Sequence, residues 1–315
     1  RRRVPLRNLS GPAAGPGYNR PMHSRCDLAI VGGGAAGALA AIHCLQRARS
    51  PLRIVLFDPA AEPGRGVAYG TGRPEHVLNV PAGRMSLFPD RREDFVDYLA
   101  GLPGYAGQLR QALAVRFVPR RDYGAYVQAR LAQARQDSAA SLEHVAAKVA
   151  TAERADGAWR LAWDGGRLLA ARVLLATGNA PRPLPARGAG AVPAPRRVEA
   201  WDYEGVAAIG PDAAVCIVGT GLSMVDAVLT LDATGHRGPL HLVSRHGLLP
   251  RAHDPALAVD EAFDHAELLP LGTRARLRRL RRQVQDAAAR DLSWQAVIER
   301  LRDELTLYRL TLGQP

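Results

Sequence analysis

Short apolar runs alternate along this chain with longer stretches in which apolar side chains recur every three or four positions. The runs at 28–31, 52–57, 172–176, 213–218 and 240–243 have strand length and each meets a glycine, aspartate, threonine or serine. Helical spacing predicts amphipathic helices over 92–99, 122–135 and 222–231. Residues 159–163 and 168–169 read as a strand pair joined by the turn Asp164-Gly165-Gly166. The stretch 59–92 is rich in glycine and proline and reads as loop. From 272 to 312 the chain is helical and dense in arginine, with leucines at 277, 280, 301, 305 and 312 forming apolar faces.

The first apolar run enters a glycine turn, Leu28-Ala-Ile-Val-Gly32-Gly-Gly34-Ala-Ala-Gly37, and an alanine-rich helix follows. The spacing is G-x-G-x-x-G. Gly32 permits a tight turn, Gly34 lets main chain approach a pyrophosphate, and Gly37 lets helix and strand pack closely. Gly34, Ala35 and Ala36 then present free amides and the positive end of the helix dipole to phosphate. The second run ends at Asp58, roughly 20 residues past Gly37, where a dinucleotide fold places the acid that meets a ribose hydroxyl. Strand, glycine turn, helix, strand and acid in this order predict a dinucleotide-binding βαβ unit.

The theme returns once. The run 213–218 meets Gly219-Thr-Gly221, a helix follows, and the next strand ends at Ser244-Arg245. Met224 stands where a third glycine would, which weakens the match. Ser244 and Arg245 take the place of the acid. A hydroxyl and a guanidinium suit the 2′-phosphate of NADP better than the bare hydroxyl of NAD. The plain alternative is that Arg245 is a solvated surface residue.

Composition narrows the field. A net charge of +12 raises the question of nucleic acid, but Lys148 is the single lysine among 42 basic residues. That skew, with so much alanine, reads as base-composition bias, and no nucleic-acid-binding motif accompanies it. The arginine-dense helix reads as one with a solvated basic side rather than a polyanion site. Cys26, Cys44 and Cys216 lie far apart with no C-x-x-C, and Cys44 and Cys216 fall in a predicted helix and strand where buried, inert thiols are usual. A reducing compartment, the cytoplasm, is expected. No histidine pair has metal-ligand spacing; among His76, His241, His246 and His253, only His76 is a candidate for the nucleotide site. Residues 1–25 read as a disordered leader, with Met22 a natural start.

The chain resembles the FAD/NAD(P)-binding family that includes FAD-dependent urate hydroxylase and related bacterial flavoproteins. The resemblance begins at Val31-Gly-Gly-Gly-Ala-Ala-Gly37 and continues through Gly66-Val-Ala-Tyr69-Gly-Thr71 and His76-Val-Leu-Asn79-Val-Pro81-Ala-Gly-Arg-Met85-Ser86. It extends to Phe117-Val-Pro-Arg120, Tyr123-Gly-Ala-Tyr126, Leu175-Ala-Thr177-Gly178, Val218-Gly-Thr-Gly-Leu-Ser-Met224-Val-Asp226 and Ser244-Arg-His-Gly-Leu-Leu-Pro250. It implies FAD at the first unit, NADP or NAD at the second, and oxygen-dependent hydroxylation of a small substrate. Asn79 and Met85 would lie near the flavin, and Thr177 and Gly178 where the chain leaves the flavin domain. Relatives return to the flavin domain after the second unit; this sequence instead ends in the arginine-rich segment, which implies that the C-terminal part is missing.

The expected architecture is therefore α/β, with two Rossmann-like dinucleotide-binding units, each a three-layer arrangement on a parallel sheet, and a helical C-terminal segment. The expected division is a leader at 1–25, an FAD-binding domain at 26–185, an NAD(P)-binding domain at 196–255 and an arginine-rich helical segment at 256–315. The proline-rich stretch 181–195 would be the crossing between domains. The expected function is an FAD-dependent oxidoreductase fed by NAD(P)H, acting on a small molecule, with neither nucleic acid nor membrane as partner. The alternative is a truncated or non-catalytic dinucleotide-binding protein.

Overall fold

A computed structural model describes residues 24–180, 184, 188–252 and 259–301. In chain order the elements are β1 (Ser24–Val31), α1 (Ala35–Arg47), β2 (Arg53–Phe57), α2 (Gly66–Tyr69), α3 (Asp94–Ala100), α4 (Arg110–Ala114), α5 (Arg120–Asp137) and β3 (Ser141–Val145). There follow β4 (Val149–Ala155), β5 (Ala158–Trp163), β6 (Gly166–Leu175), α6 (Tyr203–Ala207), β7 (Val215–Val218), α7 (Leu222–Ala233), β8 (Leu240–Val243) and α8 (Thr273–Ala288). They group into two compact units. The first takes in described residues up to 87, 93–211 and 226–236; the second takes in 88–92, 212–225 and those from 237 on.

The first unit is built on a sheet of order β3-β2-β1-β6-β5-β4. β1 pairs in parallel with β2, Ala29 opposite Val55 and Ile30 opposite Leu56, and also with β6. β3 extends the parallel part from β2. β4, β5 and the start of β6 form an antiparallel meander. One face of the parallel strands carries α1, whose inner side buries Ala38, Ala41, Ile42 and Leu45; Ile30 reaches it at Gly37. α5 packs alongside α1. On the opposite face Ala29, Val55 and Phe57 meet Leu161, Leu168 and Ala170, and the Trp163 ring lies 4.9 Å from that of Phe57. The meander thus serves as a third layer. This is a mixed α/β fold of the dinucleotide-binding type, with its loops gathered at the C-terminal ends of β1, β2 and β6.

In the second unit β7 and β8 pair in parallel, Val215 opposite Leu240 through Val218 opposite Val243; the chain between them forms α7, whose residues from 226 on group with the first unit. The parallel pairing fits the predicted repeat of strand, glycine turn, helix and strand. Farther on, Phe263, Leu268, Ala287 and Val297 form a separate cluster against the inner side of α8, with Leu280 and Val284 beside them. Asp260 is fully buried there and accepts two 2.9 Å hydrogen bonds from Arg290 and a third from Gln283. The Arg290 bonds hold its carboxyl below the usual carboxylate range.

Several expectations need correction. Residues 168–169 and 172–175 belong to one ten-residue strand, β6, because its first half closes the meander while the stretch from Leu168 to Leu175 pairs with β1. β3 and β4 were not predicted; most of β4 is exposed, so it carries no apolar alternation. Cys216 is exposed, since the two-stranded sheet leaves β7 uncovered among the described residues. The arginine-dense helix ends at Ala288 and helical structure resumes at 294; residues 302–312 lie outside the described residues, as do His253, most of the leader at 1–25 and most of 181–187. Its arginines divide as well: Arg276 and Arg279 bond Leu268 and Glu267, while Arg274, Arg278, Arg281 and Arg282 are exposed or nearly so.

Candidate dinucleotide site

The first glycine turn is shaped by close approaches that side chains would prevent. Gly32 has φ +103°, and a Cβ there would lie 2.1 Å from the Ala176 carbonyl oxygen. A Cβ on Gly37 would fall 1.8 Å from the Gly32 oxygen. These two glycines weld β1, α1 and the end of β6 together, which brings Thr177 and Gly178 beside the turn. The Gly32 amide donates to the Phe57 carbonyl at 2.8 Å, so the turn is also tied to β2.

Gly34 is different. It is the residue that caps α1, with ordinary extended geometry and no side chain bonding the helix end. α1 has no acidic residue in its first turn. The amides at its start, including those of Ala35 and Ala36, therefore keep the unsatisfied donors and positive end that suit an anion. What faces Gly34 is more main chain: its added Cβ would sit 3.4 Å from the Gly66 Cα. Gly66 has φ +59° and opens α2, directly after the loop that follows β2, which the Gly64 amide fastens to the Gly33 carbonyl at 2.7 Å. The walls of this cradle are backbone on both sides.

Asp58 closes the edge. Its Oδ2 accepts the Gly33 amide at 2.6 Å and its Oδ1 accepts the Ala60 amide at 2.9 Å. Each carboxylate oxygen keeps a second lone pair for a hydroxyl donor. Gly32, Gly34, Ala35, Ala36, Gly37, Asp58, Thr177 and Gly178 are thus gathered at one end of the parallel strands. A diphosphate at the helix start and a ribose at Asp58 fit these groups: free amides, absent side chains and an anchored acid.

The other candidates in this unit lie in other settings. His76 is fully buried; Nδ1 bonds Thr71 Oγ1 at 2.9 Å, and Nε2 lies 2.8 Å from Thr230 Oγ1 and 3.3 Å from the Asp226 carbonyl. The Tyr203 ring packs against the imidazole at a tilt, the ring centres 4.5 Å apart. Both nitrogens are engaged by protein, so His76 fastens its loop to α7. Beside it Arg120 forms a bidentate pair with Asp226 at 2.6 and 3.0 Å and donates to the Val77 carbonyl. Asn79 is exposed and Met85 half-buried, on a segment laced to 116–118 through the Leu78 and Ala82 amides.

The second turn stands in the second unit. Gly219 has φ +107° and its amide donates to Val243 at 2.8 Å, as Gly32 does to Phe57. A Cβ on Gly219 or Gly221 would meet nothing within 4 Å among the described residues. Thr220 Oγ1 donates to the Leu248 carbonyl, and Ser244 Oγ accepts the Gly247 amide at 3.0 Å. Arg245 follows Ser244 and is exposed. Met224, at the third-glycine position, is buried.

Residues 29–180 match the model of a family described as FAD-NAD(P)-binding. That description agrees with the class of fold and with the expected cofactors, FAD and NADP or NAD. Among solved structures, the chain is similar to a variant of a flavin monooxygenase from Stenotrophomonas maltophilia, with 22% identity over 78% of this chain and 63% of that one (TM-score 0.43). It is similar to the bacillithiol disulfide reductase of Staphylococcus aureus, with 18% identity over 73% and 60% (TM-score 0.47). It is also similar to cyclohexanone monooxygenase from Rhodococcus sp. Phi1 bound to NADP+, with 18% identity over 70% and 37% (TM-score 0.42). The chain spans less than two thirds of each of these structures. No curated protein matches it. Among the described residues, no helix is long and apolar enough to cross a membrane, and no cluster of His, Cys, Asp or Glu could hold a metal ion.

Two contributors were not singled out from sequence. Gly66 stood only within a longer motif; its spacing from Gly64 was the available signal. His144, whose Nε2 lies 3.1 Å from the Asp58 carbonyl, sits on the strand that sequence reading missed.

Proposed function

We propose that this chain is an FAD-dependent oxidoreductase that accepts hydride from NADPH or NADH and acts on a small-molecule substrate. The observation that supports it most is the α1 start: uncapped, without acid, walled by Gly34 and Gly66, and bordered by an anchored Asp58. Gly34, Ala35 and Ala36 would hold the FAD diphosphate through main-chain amides, and Asp58 would accept a ribose hydroxyl. FAD, when bound, supplies hydride acceptance and reaction with oxygen. In the second unit Gly219 and Gly221 would leave room for the nicotinamide dinucleotide, with Ser244 and Arg245 reading its 2′-phosphate. The family resemblance favours hydroxylation as the reaction, with Asn79 and Met85 near the flavin, and the three separate cysteines without a C-x-x-C favour the cytoplasm as its setting.

The test is an anaerobic titration of FAD-loaded protein with NADPH, followed by oxygen. Bleaching of the flavin bands, then recovery with a hydroxylated product or peroxide, is expected. Protein that takes up no FAD, or whose flavin NADPH leaves oxidised, contradicts the proposal.

A further inference from the structure

The β2–β3 ladder runs out at Phe57, which pairs with Val145. One residue farther on, the Asp58 amide still reaches the Val145 carbonyl at 3.2 Å. The Asp58 carbonyl has no ladder partner, because β3 has ended and the Ala147 amide folds back onto Val145. At this half-buried point a main-chain carbonyl takes its hydrogen bond from a donor of the protein or from water. His144 provides one: its half-buried ring reaches forward from the position opposite Leu56 and places Nε2 3.1 Å from that oxygen. To donate there, Nε2 must carry the proton.

Asp58 is therefore fixed at every polar atom that protein can reach. Val145 takes its amide, His144 its carbonyl, and Gly33 and Ala60 its two carboxylate oxygens. Only the main-chain bonds among these are guaranteed by the fold. The carbonyl bond depends on the identity of residue 144. It sets the peptide plane after Asp58, and with it the direction from which the Ala60 amide meets Oδ1.

We infer that His144 is a positioning residue for the ribose-binding acid: by replacing the missing ladder bond at the Asp58 carbonyl, it aims the carboxylate for an adenosine ribose. The inference rests on the reading that the first turn binds FAD, and it deepens that reading by assigning a side chain that touches no ligand. It acts on any ligand that carries the adenosine half, so ADP and FAD should be affected alike.

The test compares the wild type with His144→Leu and His144→Gln, since glutamine keeps a donor at similar reach. FAD and ADP affinities are measured by titration, and hydrogen exchange of the Gly33 amide is followed in ligand-free protein. His144→Leu should weaken both ligands about tenfold, the scale of one lost hydrogen bond, and speed Gly33 exchange. His144→Gln should restore both within about threefold, close to the spread expected for one exchanged hydrogen bond. In an Asp58→Asn background His144→Leu should add little, because the side chain it aims is already altered. Unchanged binding and exchange in His144→Leu, no rescue by glutamine, or a full extra loss on top of Asp58→Asn overturns the inference. If the wild type binds neither ligand while His144→Leu still speeds Gly33 exchange and His144→Gln restores it, the FAD reading is overturned and the positioning of Asp58 stands.

Discussion

The Gly33 amide donates to Asp58 Oδ2 across 2.6 Å, joining the glycine turn after β1 to the acid after β2. The two residues are 25 apart in sequence, and no side chain could stand at position 33: a Cβ there would lie 2.7 Å from both the Asp58 Cβ and a Leu56 methyl. The acid thus has two tasks, shaping the turn and offering lone pairs outward. Asp58→Asn keeps the size but turns one acceptor into a donor that faces an amide. FAD affinity should fall by about tenfold, with the fold retained, as read by quenching of flavin fluorescence. Unaltered affinity would mean that the carboxylate orders the turn and nothing else.

Arg245 separates two nicotinamide cofactors. If it meets the 2′-phosphate, Arg245→Ala removes a charge-assisted contact of about 1.5–3 kcal/mol, and KM for NADPH should rise roughly tenfold or more. KM for NADH should stay where it is. An equal change for both cofactors returns Arg245 to the role of a solvated surface residue.

Asp226 lies within the second glycine-turn motif by sequence, yet its carboxylate goes to Arg120. The two side chains are 8% and 15% exposed, so removing one leaves the other charge largely desolvated. Asp226→Ala should lower the unfolding free energy by about 3 kcal/mol or more in urea titration. A loss under about 0.5 kcal/mol would place the pair among ordinary surface contacts.

Thiol labelling checks the two strands that carry cysteines. Burial pushes the Cys26 thiol up to about 11, so at neutral pH it is almost entirely protonated as well as covered. Cys216 is exposed on β7. Iodoacetamide on native protein should modify Cys216 and leave Cys26 intact until the chain is unfolded; labelling of Cys26 at a similar rate would contradict the packing of β1.

The first βαβ unit was legible because its signals are local. An apolar run, three glycines and an acid occupy one continuous stretch, and each has a single steric reason to be there. The repeat at Gly219 was legible for the same reason. β3 and β4 were not. Ser141-Leu-Glu-His-Val145 has one fully apolar alternation too few, and β4 is an exposed edge whose place is fixed by its partner β5. With β3 unread, His144 had no strand to sit on and its bond to Asp58 could not be foreseen. His76 shows the opposite difficulty. Its neighbours in sequence suggested a nucleotide site, but its partner Thr230 lies 154 residues away, on a helix assigned by sequence to the second unit. Long-range polar pairing of this kind leaves no periodic trace.

The central claim is that main chain alone, at Gly34 and the start of α1, receives the FAD diphosphate. Gly34→Ala tests it most directly, because its new methyl would make only an ordinary 3.4 Å contact with Gly66 at a residue of unstrained φ. The protein should therefore fold as before. FAD titration of the wild type should show binding, and Gly34→Ala should weaken it at least about tenfold while the melting temperature shifts by no more than about 2–4 °C, the effect of roughly 1 kcal/mol. Equal FAD binding by the two proteins would contradict the account.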